Sequence, residues 1–215
     1  MSTINTKKLT ILENGTLKNG SVYDIVELAP WHVGDCTALH QAIIDDLPAH
    51  QKNYILPKTA DYFFTHFAGY NGNAILGVVI DGRLTAQAVS VHPSFRGMGI
   101  MNRLVGHWID HAQNLGREHL LAEIEIHNQA SWGTFVTNGL KLVGIGRDPS
   151  DGAFVYNAHE LTSRAVAKRL TPAFNSAACQ IVSAKAFITQ EQLFDDGYAI
   201  VAWDRDKQVV RMAPQ

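Results

Sequence analysis

The chain has 215 residues, of which 46% are hydrophobic and 18% charged, and its formal net charge is -2. This is the composition of a folded globular protein and excludes a disordered one; without a basic surplus it speaks against a nucleic-acid partner. No apolar run nears the roughly 18 residues a bilayer span needs, and the polar opening of the chain lacks a secretion signal, so the protein is expected in the cytoplasm with no membrane partner.

Residues 1–21 are rich in Thr, Asn, Lys and Gly and read as a flexible tail, with a weak strand signal at Ile11 and Leu12. A first strand spans 22–28 and stops at Ala29-Pro30. Helical spacing follows over 33–47, where Cys36, Leu39, Ile43, Ile44 and Leu47 share one face. A second helix is expected over 59–67, with Thr59 as its N-cap. The apolar run 74–80, the turn signal Asp81-Gly82 and a returning strand over 84–92 predict a hairpin. A helix then starts near Gly99 or Ile100, with Met101, Leu104, Val105, Trp108, Ile109, Ala112 and Leu115 on its apolar stripe and Gly116 closing it. Beyond it come a strand over 120–127, a helix over 130–138 closed by Gly139, a strand over 140–146, a turn at 148–152 and a strand over 153–158. Such alternation is an α/β signature. After residue 160 a helix is expected over 161–170, another from a Thr189/Gln192 capping pattern to Asp196, and a terminal hairpin over 198–212. The organisation is therefore a tail (1–21), a domain (22–160) and a C-terminal helix-hairpin extension (161–215). Cys36 and Cys179 are far apart and read as reduced thiols.

The most informative stretch is Val91-His92-Pro93-Ser94-Phe95-Arg96-Gly97-Met98-Gly99-Ile100-Met101. A strand ends, a glycine-bearing turn follows, and an amphipathic helix begins. Backbone N–H groups and the positive helix end converge there, which suits a phosphate or pyrophosphate. The loop lacks the Gly-Lys-Ser/Thr ending of a nucleotide-hydrolysing P-loop. Asn102 stands where the dinucleotide fingerprint needs its third glycine.

Residues 92–104 resemble the coenzyme A-binding motif of the GNAT acetyltransferases, in which Arg or Gln, two residues, Gly, one residue and Gly or Ala follow in order. Arg96, Gly99 and position 101 fill these places, with Met101 a departure. A second motif of the family, Asn, then a small residue, an aromatic and Gly at three, seven and eleven positions on, is met by Asn128, Ser131, Phe135 and Gly139. The resemblance covers roughly 22–160 and implies a mixed, mostly antiparallel sheet flanked by helices. It implies that the Val89-Ser90-Val91 backbone holds the pantetheine arm and that Arg96, Gly97, Met98, Gly99, Ile100 and Met101 hold the pyrophosphate. Asn128, with Ser131, would hold the pantetheine or position the thioester, and Phe135 would pack beside it. It further implies acetyl transfer from acetyl-CoA, as co-substrate and without a metal, to a primary amine by direct attack in a ternary complex. A non-catalytic acyl-CoA-binding or sensing protein of the same fold is the alternative.

Amine acetylation needs a base. The strand over 120–127 alternates, so that Glu123, Glu125 and His127 share the face opposite Ala122, Ile124 and Ile126. Glu123 lies five positions before Asn128, where some family members carry a catalytic Glu, and is the first candidate; Glu125 and His127 are the others. Family members often have Tyr, as acid, where this chain has Phe135, which leaves Tyr156 or Ser131, or unassisted departure of the thiolate. His107 and His111 are four apart on a helix but belong to a polar stripe without a third ligand in sequence. The acceptor, a small-molecule or peptide amine, has no motif. The C-terminal hairpin could extend the sheet, cap the acceptor site or form a homodimer interface.

Overall fold

The computed structural model describes residues 3–4, 9–49, 58–69, 75–87, 90–117, 120–147, 154–159 and 178–215. The chain packs as two units, residues 1–104 and 105–215. The expected strand residue Val89, the turn at 148–152 and the helix over 161–170 lie outside the described residues.

The first unit is built on an antiparallel sheet in the order β1-β2-β3-β4-β5. Its strands are β1 (Thr10–Thr16), β2 (Val22–Leu28), β3 (Ile75–Ile80), β4 (Arg83–Gln87) and β5 (Ser90–Val91). Two helices, α1 (Val33–Asp46) and α2 (Ala60–Gly69), join β2 to β3 in sequence. Cys36, Leu39 and Ile43 of α1 and Phe63 of α2 form a core with Val26, Leu28, Val79 and Leu84 of the sheet. Pro30 starts a short 3-10 turn into α1, in which the His32 Nδ1 accepts a hydrogen bond from the Ala29 N–H at 2.9 Å. Thr59 Oγ1 accepts from the Tyr62 N–H at 3.4 Å, the geometry of the expected cap. Asp81 and Gly82, at φ 50° and 69°, make the two-residue loop between β3 and β4, the left-handed pair that Asp-Gly favours.

Two expectations for this unit are corrected. Residues 10–16, read as tail, form β1 and pair with β2 along its length. The apolar signal was weak because β1 leaves Ile11 and Leu12 exposed. Main-chain pairing holds it, together with Glu13, which accepts from the Tyr23 hydroxyl and from Arg103 Nη1 at 3.1 Å. The single strand over 84–92 is instead two strands that pair with each other, Ala86 opposite Val91 and Gln87 opposite Ser90. Continuous β propensity in 84–92 hides this, since both arms of a hairpin favour the same residues.

The helix α3 (Ile100–Asn114) runs from the end of the first unit into the second. Ile100, Leu104, Val105, Ile109 and Ala112 are its buried stripe. It closes with Arg117 N–H bonded to Ala112 O and Gly116 N–H to Gln113 O, both at 2.9 Å, with Gly116 at φ 65°.

The second unit carries a six-stranded antiparallel sheet in the order β6-β8-β7-β10-β11-β9. The strands are β6 (Ala122–Glu125), β7 (Lys141–Arg147), β8 (Phe154–His159), β9 (Gln180–Ser183), β10 (Tyr198–Asp204) and β11 (Val209–Pro214), with helices α4 (Gln129–Thr137) and α5 (Phe187–Asp195). Residues 178–215 are built into this sheet: β10 pairs with β7 through Ile200 and Leu142, and β9 pairs with β11. Trp203 of β10 lies on Gly133 of α4 so closely that a Cβ there would sit 2.1 Å from the indole. The expected capping pattern at Thr189 is not used. The helix starts at Phe187, because Ser183 turns the chain by accepting from Lys185 N–H through Oγ (3.3 Å) and from Ala186 N–H through its carbonyl (3.0 Å). Phe187 then packs on Tyr156. Among the described residues no helix is long and apolar enough to cross a membrane.

Candidate functional site

The first candidate region is the strand–loop–helix segment from Ser90 to Met101. His92 N–H donates to Thr85 O at 2.8 Å, so pairing with β4 continues one residue past β5. Pro93–Phe95 then form a single 3-10 turn, in which the His92 Nδ1 accepts from Ser94 N–H at 3.3 Å. Burial, helped by the Arg96 guanidinium, holds His92 below the usual imidazole range. Gly97 and Gly99 follow at φ 76° and 78°. Among the described residues, a Cβ at either glycine would meet nothing within 4 Å. Glycine is therefore required by backbone conformation and not by crowding, and the space beside the loop is open. The first bond of α3 runs from Arg103 N–H to Gly99 O at 3.3 Å. Ile100 and Met101 thus present the N–H groups that a helix start leaves without an intrahelical partner. An anion fits this cradle, since helix dipole and backbone donors act together.

Arg96 is held on two sides. Its Nη1 donates to Asp46 Oδ2 at 2.7 Å and its Nε to Val91 O at 3.3 Å. Both partners of the ion pair are nearly half exposed, so it contributes less than about 1 kcal/mol to stability. Its consequence is geometric, since it fixes the guanidinium beside the glycine loop. Asp46, at the end of α1, was not singled out in the sequence, where fifty positions separate it from Arg96.

The second candidate region is β6, the turn after it, and α4. Within β6 the expected alternation holds: Ile124 is buried and Glu123 exposed. Asn128 caps α4, its Oδ1 accepting from Ser131 N–H at 3.2 Å. Trp132 is fully buried and donates its indole N–H to Ile126 O at 3.1 Å. Phe135 is also buried, its ring stacked on Trp108 at 6.5 Å.

The three polar candidates separate. Ile124 stands opposite Tyr156 and Glu125 opposite Val155 in the β6–β8 register, so Glu123 and Glu125 lie on the face away from Tyr156. His127 lies past the end of β6, and its ring meets Phe187 edge-on at 5.3 Å. Phe187 in turn packs on Tyr156. The turn thus carries His127 off the face that simple alternation assigned to it. Glu125 Oε1 accepts from His127 N–H at 3.0 Å, which commits that carboxylate to the turn. Glu123 keeps an exposed carboxylate on the strand. Tyr156, one of the alternative acids, is fully buried; it donates its hydroxyl to Gln190 Oε1, and burial raises its pKa well above the usual phenol range. Gln190 donates from Nε2 to Ser183 O at 2.8 Å. Tyr156 is therefore a core residue and not a proton donor. Burial likewise pushes the Cys36 thiol up to about 12, which keeps it protonated and unreactive. Among the described residues no three His, Cys, Asp or Glu side chains are grouped to hold a metal.

Sequence reasoning missed the C-terminal contributors Phe187, Gln190 and Trp203. One signal was present: a glycine inside an α-helix costs about 1 kcal/mol against alanine, so Gly133 announced a close neighbour without naming it.

Comparison with known proteins agrees with this architecture. Residues 27–139 match the acetyltransferase (GNAT) family. No curated protein sequence matches the chain. Among solved structures, yncA, a putative acetyltransferase from Salmonella typhimurium with its cofactor acetyl-CoA, is similar at 17% identity and a TM-score of 0.54, over 66% of this chain and 95% of that one. The ribosomal-protein-S18-alanine N-acetyltransferase from Escherichia coli is similar at 16% identity and a TM-score of 0.51, over 66% and 95%. The ribosomal L7/L12 α-N-protein acetyltransferase in complex with coenzyme A is similar at 14% identity and a TM-score of 0.52, over 71% and 98%. At such identities the likeness is one of fold.

Proposed function

The chain belongs to the acetyltransferase (GNAT) family, and from that premise we propose that it transfers an acetyl group from acetyl-CoA to a primary amine by direct attack in a ternary complex. The observation that carries the cofactor half is the loop at Gly97 and Gly99, with both glycines left-handed and open space beside them. In this reading the N–H groups of residues 97–101 and the guanidinium of Arg96 bind the pyrophosphate. The backbone of Ser90 and Val91, with that of Val89 as the resemblance implies, orients the pantetheine arm, and Asn128 offers its amide NH2 while its Oδ1 caps α4.

For the chemistry, the amine nitrogen forms a bond to the acetyl carbonyl carbon, the carbon–sulfur bond breaks, and the amine's proton passes to a base. Glu123 is the proposed base, because Glu125 and His127 are engaged with the turn and with Phe187. Phe135 has no proton to give and Tyr156 is buried. The thiolate therefore leaves unassisted, as a thiol of pKa about 8.5 can, or takes its proton from the Ser131 hydroxyl. The acceptor is a small-molecule or peptide amine.

Titration calorimetry with acetyl-CoA, followed by a thiol-release assay against a panel of primary amines, tests the proposal, with Glu123→Gln as control. Saturable binding plus amine-dependent release supports it. Binding with no release from any amine leaves a coenzyme-binding protein, and absence of binding overturns the reading altogether.

A further inference from the structure

Gln87 is the last residue of β4 and only 4% exposed. The β3–β4 register slips at Thr85, from Val79 opposite Leu84 to Val78 opposite Ala86. That slip puts both Leu84 and Gln87 on the α1 side: Leu84 in the core with Cys36 and Leu39, and Gln87 with its Nε2 donating to Cys36 O at 3.4 Å. The other end of this amide, Oε1, is buried and accepts no hydrogen bond among the described residues. A buried carbonyl oxygen in that condition has lost water without gaining a donor, and such atoms in folded proteins call for a specific explanation.

Its position supplies one. Gln87 pairs with Ser90 at the start of the proposed cofactor strand. The helix it touches at Cys36 is the one whose Asp46 holds Arg96 at the pyrophosphate loop. At 1.5 Å per residue these two points on α1 are about 15 Å apart, a span on the order of an extended pantetheine arm. The loop lies at one end of that span and Gln87 at the other, where the acetyl group and the amine would meet.

We propose that Gln87 Oε1 accepts a hydrogen bond from an N–H of the acceptor amine and so orients its nitrogen for attack; this rests on the acetyltransferase reading above. A donor on the pantetheine arm is the other source of the same chemistry. Geometry favours the amine: a ligand that pairs with the β5 backbone makes its bonds in the plane of the sheet, whereas Gln87 projects off the sheet toward α1. The terminal torsion of a glutamine is soft, so Oε1 can turn to a donor without backbone movement. The amide takes up no proton, and Gln87 is a binding group, not the base.

The test compares wild type with Gln87→Met, an unbranched apolar replacement of similar length, and with Gln87→Glu, which keeps an acceptor oxygen. Acetyl-CoA Kd, melting temperature and steady-state constants are measured with butylamine, an aminoglycoside, an alanine-initiated hexapeptide and a lysine peptide. Expected for Gln87→Met are a melting temperature equal to or above wild type, an unchanged acetyl-CoA Kd, and a kcat/KM at least tenfold lower for every amine the wild type acetylates, with Gln87→Glu retaining more of it. Unchanged kcat/KM in a folded Gln87→Met overturns the assignment and leaves the acetyltransferase reading standing. A raised acetyl-CoA Kd with amine KM unaffected moves the bond to the pantetheine arm and also overturns it. A lower melting temperature in both variants with wild-type kcat/KM makes Gln87 structural. Acetyl-CoA binding by wild type without transfer to any of the four amines sinks the parent reading, and this one with it.

Discussion

The segment from Ser90 to Met101 and the segment from Ala122 to Thr137 both run from a strand through a turn into a helix, yet they hold their candidate groups differently. In the first, the candidate groups are mostly backbone, two glycines at φ 76° and 78° and the N–H groups of a helix start, with the Arg96 side chain beside them. In the second, the candidates are side chains, and their directions depend on residues from far along the chain. Phe187 meets the His127 ring edge-on, and Trp203 sits on Gly133. A site made of backbone tolerates change in its surroundings. A site made of side chains inherits every change in the elements packed behind it.

The strongest way to break the second segment is Gly133→Ala. The added methyl would lie 2.1 Å from the Trp203 ring, and both groups belong to fixed elements. Overpacking typically costs about 1–3 kcal/mol, and so close an approach belongs at the upper end of that range, visible as a large drop in the denaturant midpoint. Gly133→Ala combined with Trp203→Ala should recover part of that loss, since removing the ring removes the clash. If Gly133→Ala alone unfolds at the wild-type midpoint, the C-terminal strands are not packed on α4 as described.

Glu123→Gln asks whether the exposed face of β6 does the chemistry. A general base contributes about 10²-fold or more, so kcat in the thiol-release assay should fall by at least that factor. The acetyl-CoA Kd should stay put, and stability should move by less than about 0.5 kcal/mol, as for an exposed strand residue. A matching loss in Glu125→Gln but not in Glu123→Gln would transfer the role to the carboxylate that now accepts from His127 N–H.

For the first segment the corresponding change is Gly99→Ala. A left-handed conformation costs a residue with a Cβ roughly 1–2 kcal/mol, and no described residue crowds the new methyl. The loop must either bear that strain or abandon the conformation that aims its N–H groups. An acetyl-CoA Kd about tenfold weaker is expected, the equivalent of 1.4 kcal/mol.

This contrast also explains what could be read before the structure. The loop was legible because glycine spacing, a strand end and a helix start are local facts, and the observed helix begins at Ile100 as expected. The core of α1 was legible for the same reason, through the spacing of Cys36, Leu39 and Ile43. The face of His127 was not, because alternation applies only while the strand lasts and β6 ends at Glu125. Tyr156 looked available as an acid until Gln190, 34 positions later, proved to accept its hydroxyl. Strand β1 was faint because an edge strand with exposed Ile11 and Leu12 gives little periodic burial. In each case the missing information was the identity of a distant partner, which periodicity does not contain.

The smallest expected effect tests whether the first segment is as independent of side chains as its backbone suggests. Asp46 does two opposing things to Arg96: it fixes the guanidinium at 2.7 Å and it cancels part of its charge. Asp46→Asn should cost less than about 1 kcal/mol in stability, since both partners are nearly half exposed. If charge matters more than placement, acetyl-CoA should bind two- to threefold tighter to Asp46→Asn at about 0.05 M salt, with the gain gone at about 0.5 M, where screening removes it. If placement matters more, binding should be weaker at both salt concentrations, because screening cannot restore a lost geometry. The second outcome would mean that the cofactor loop, too, leans on a side chain from a distant helix, and the contrast between the two segments would narrow to one of degree.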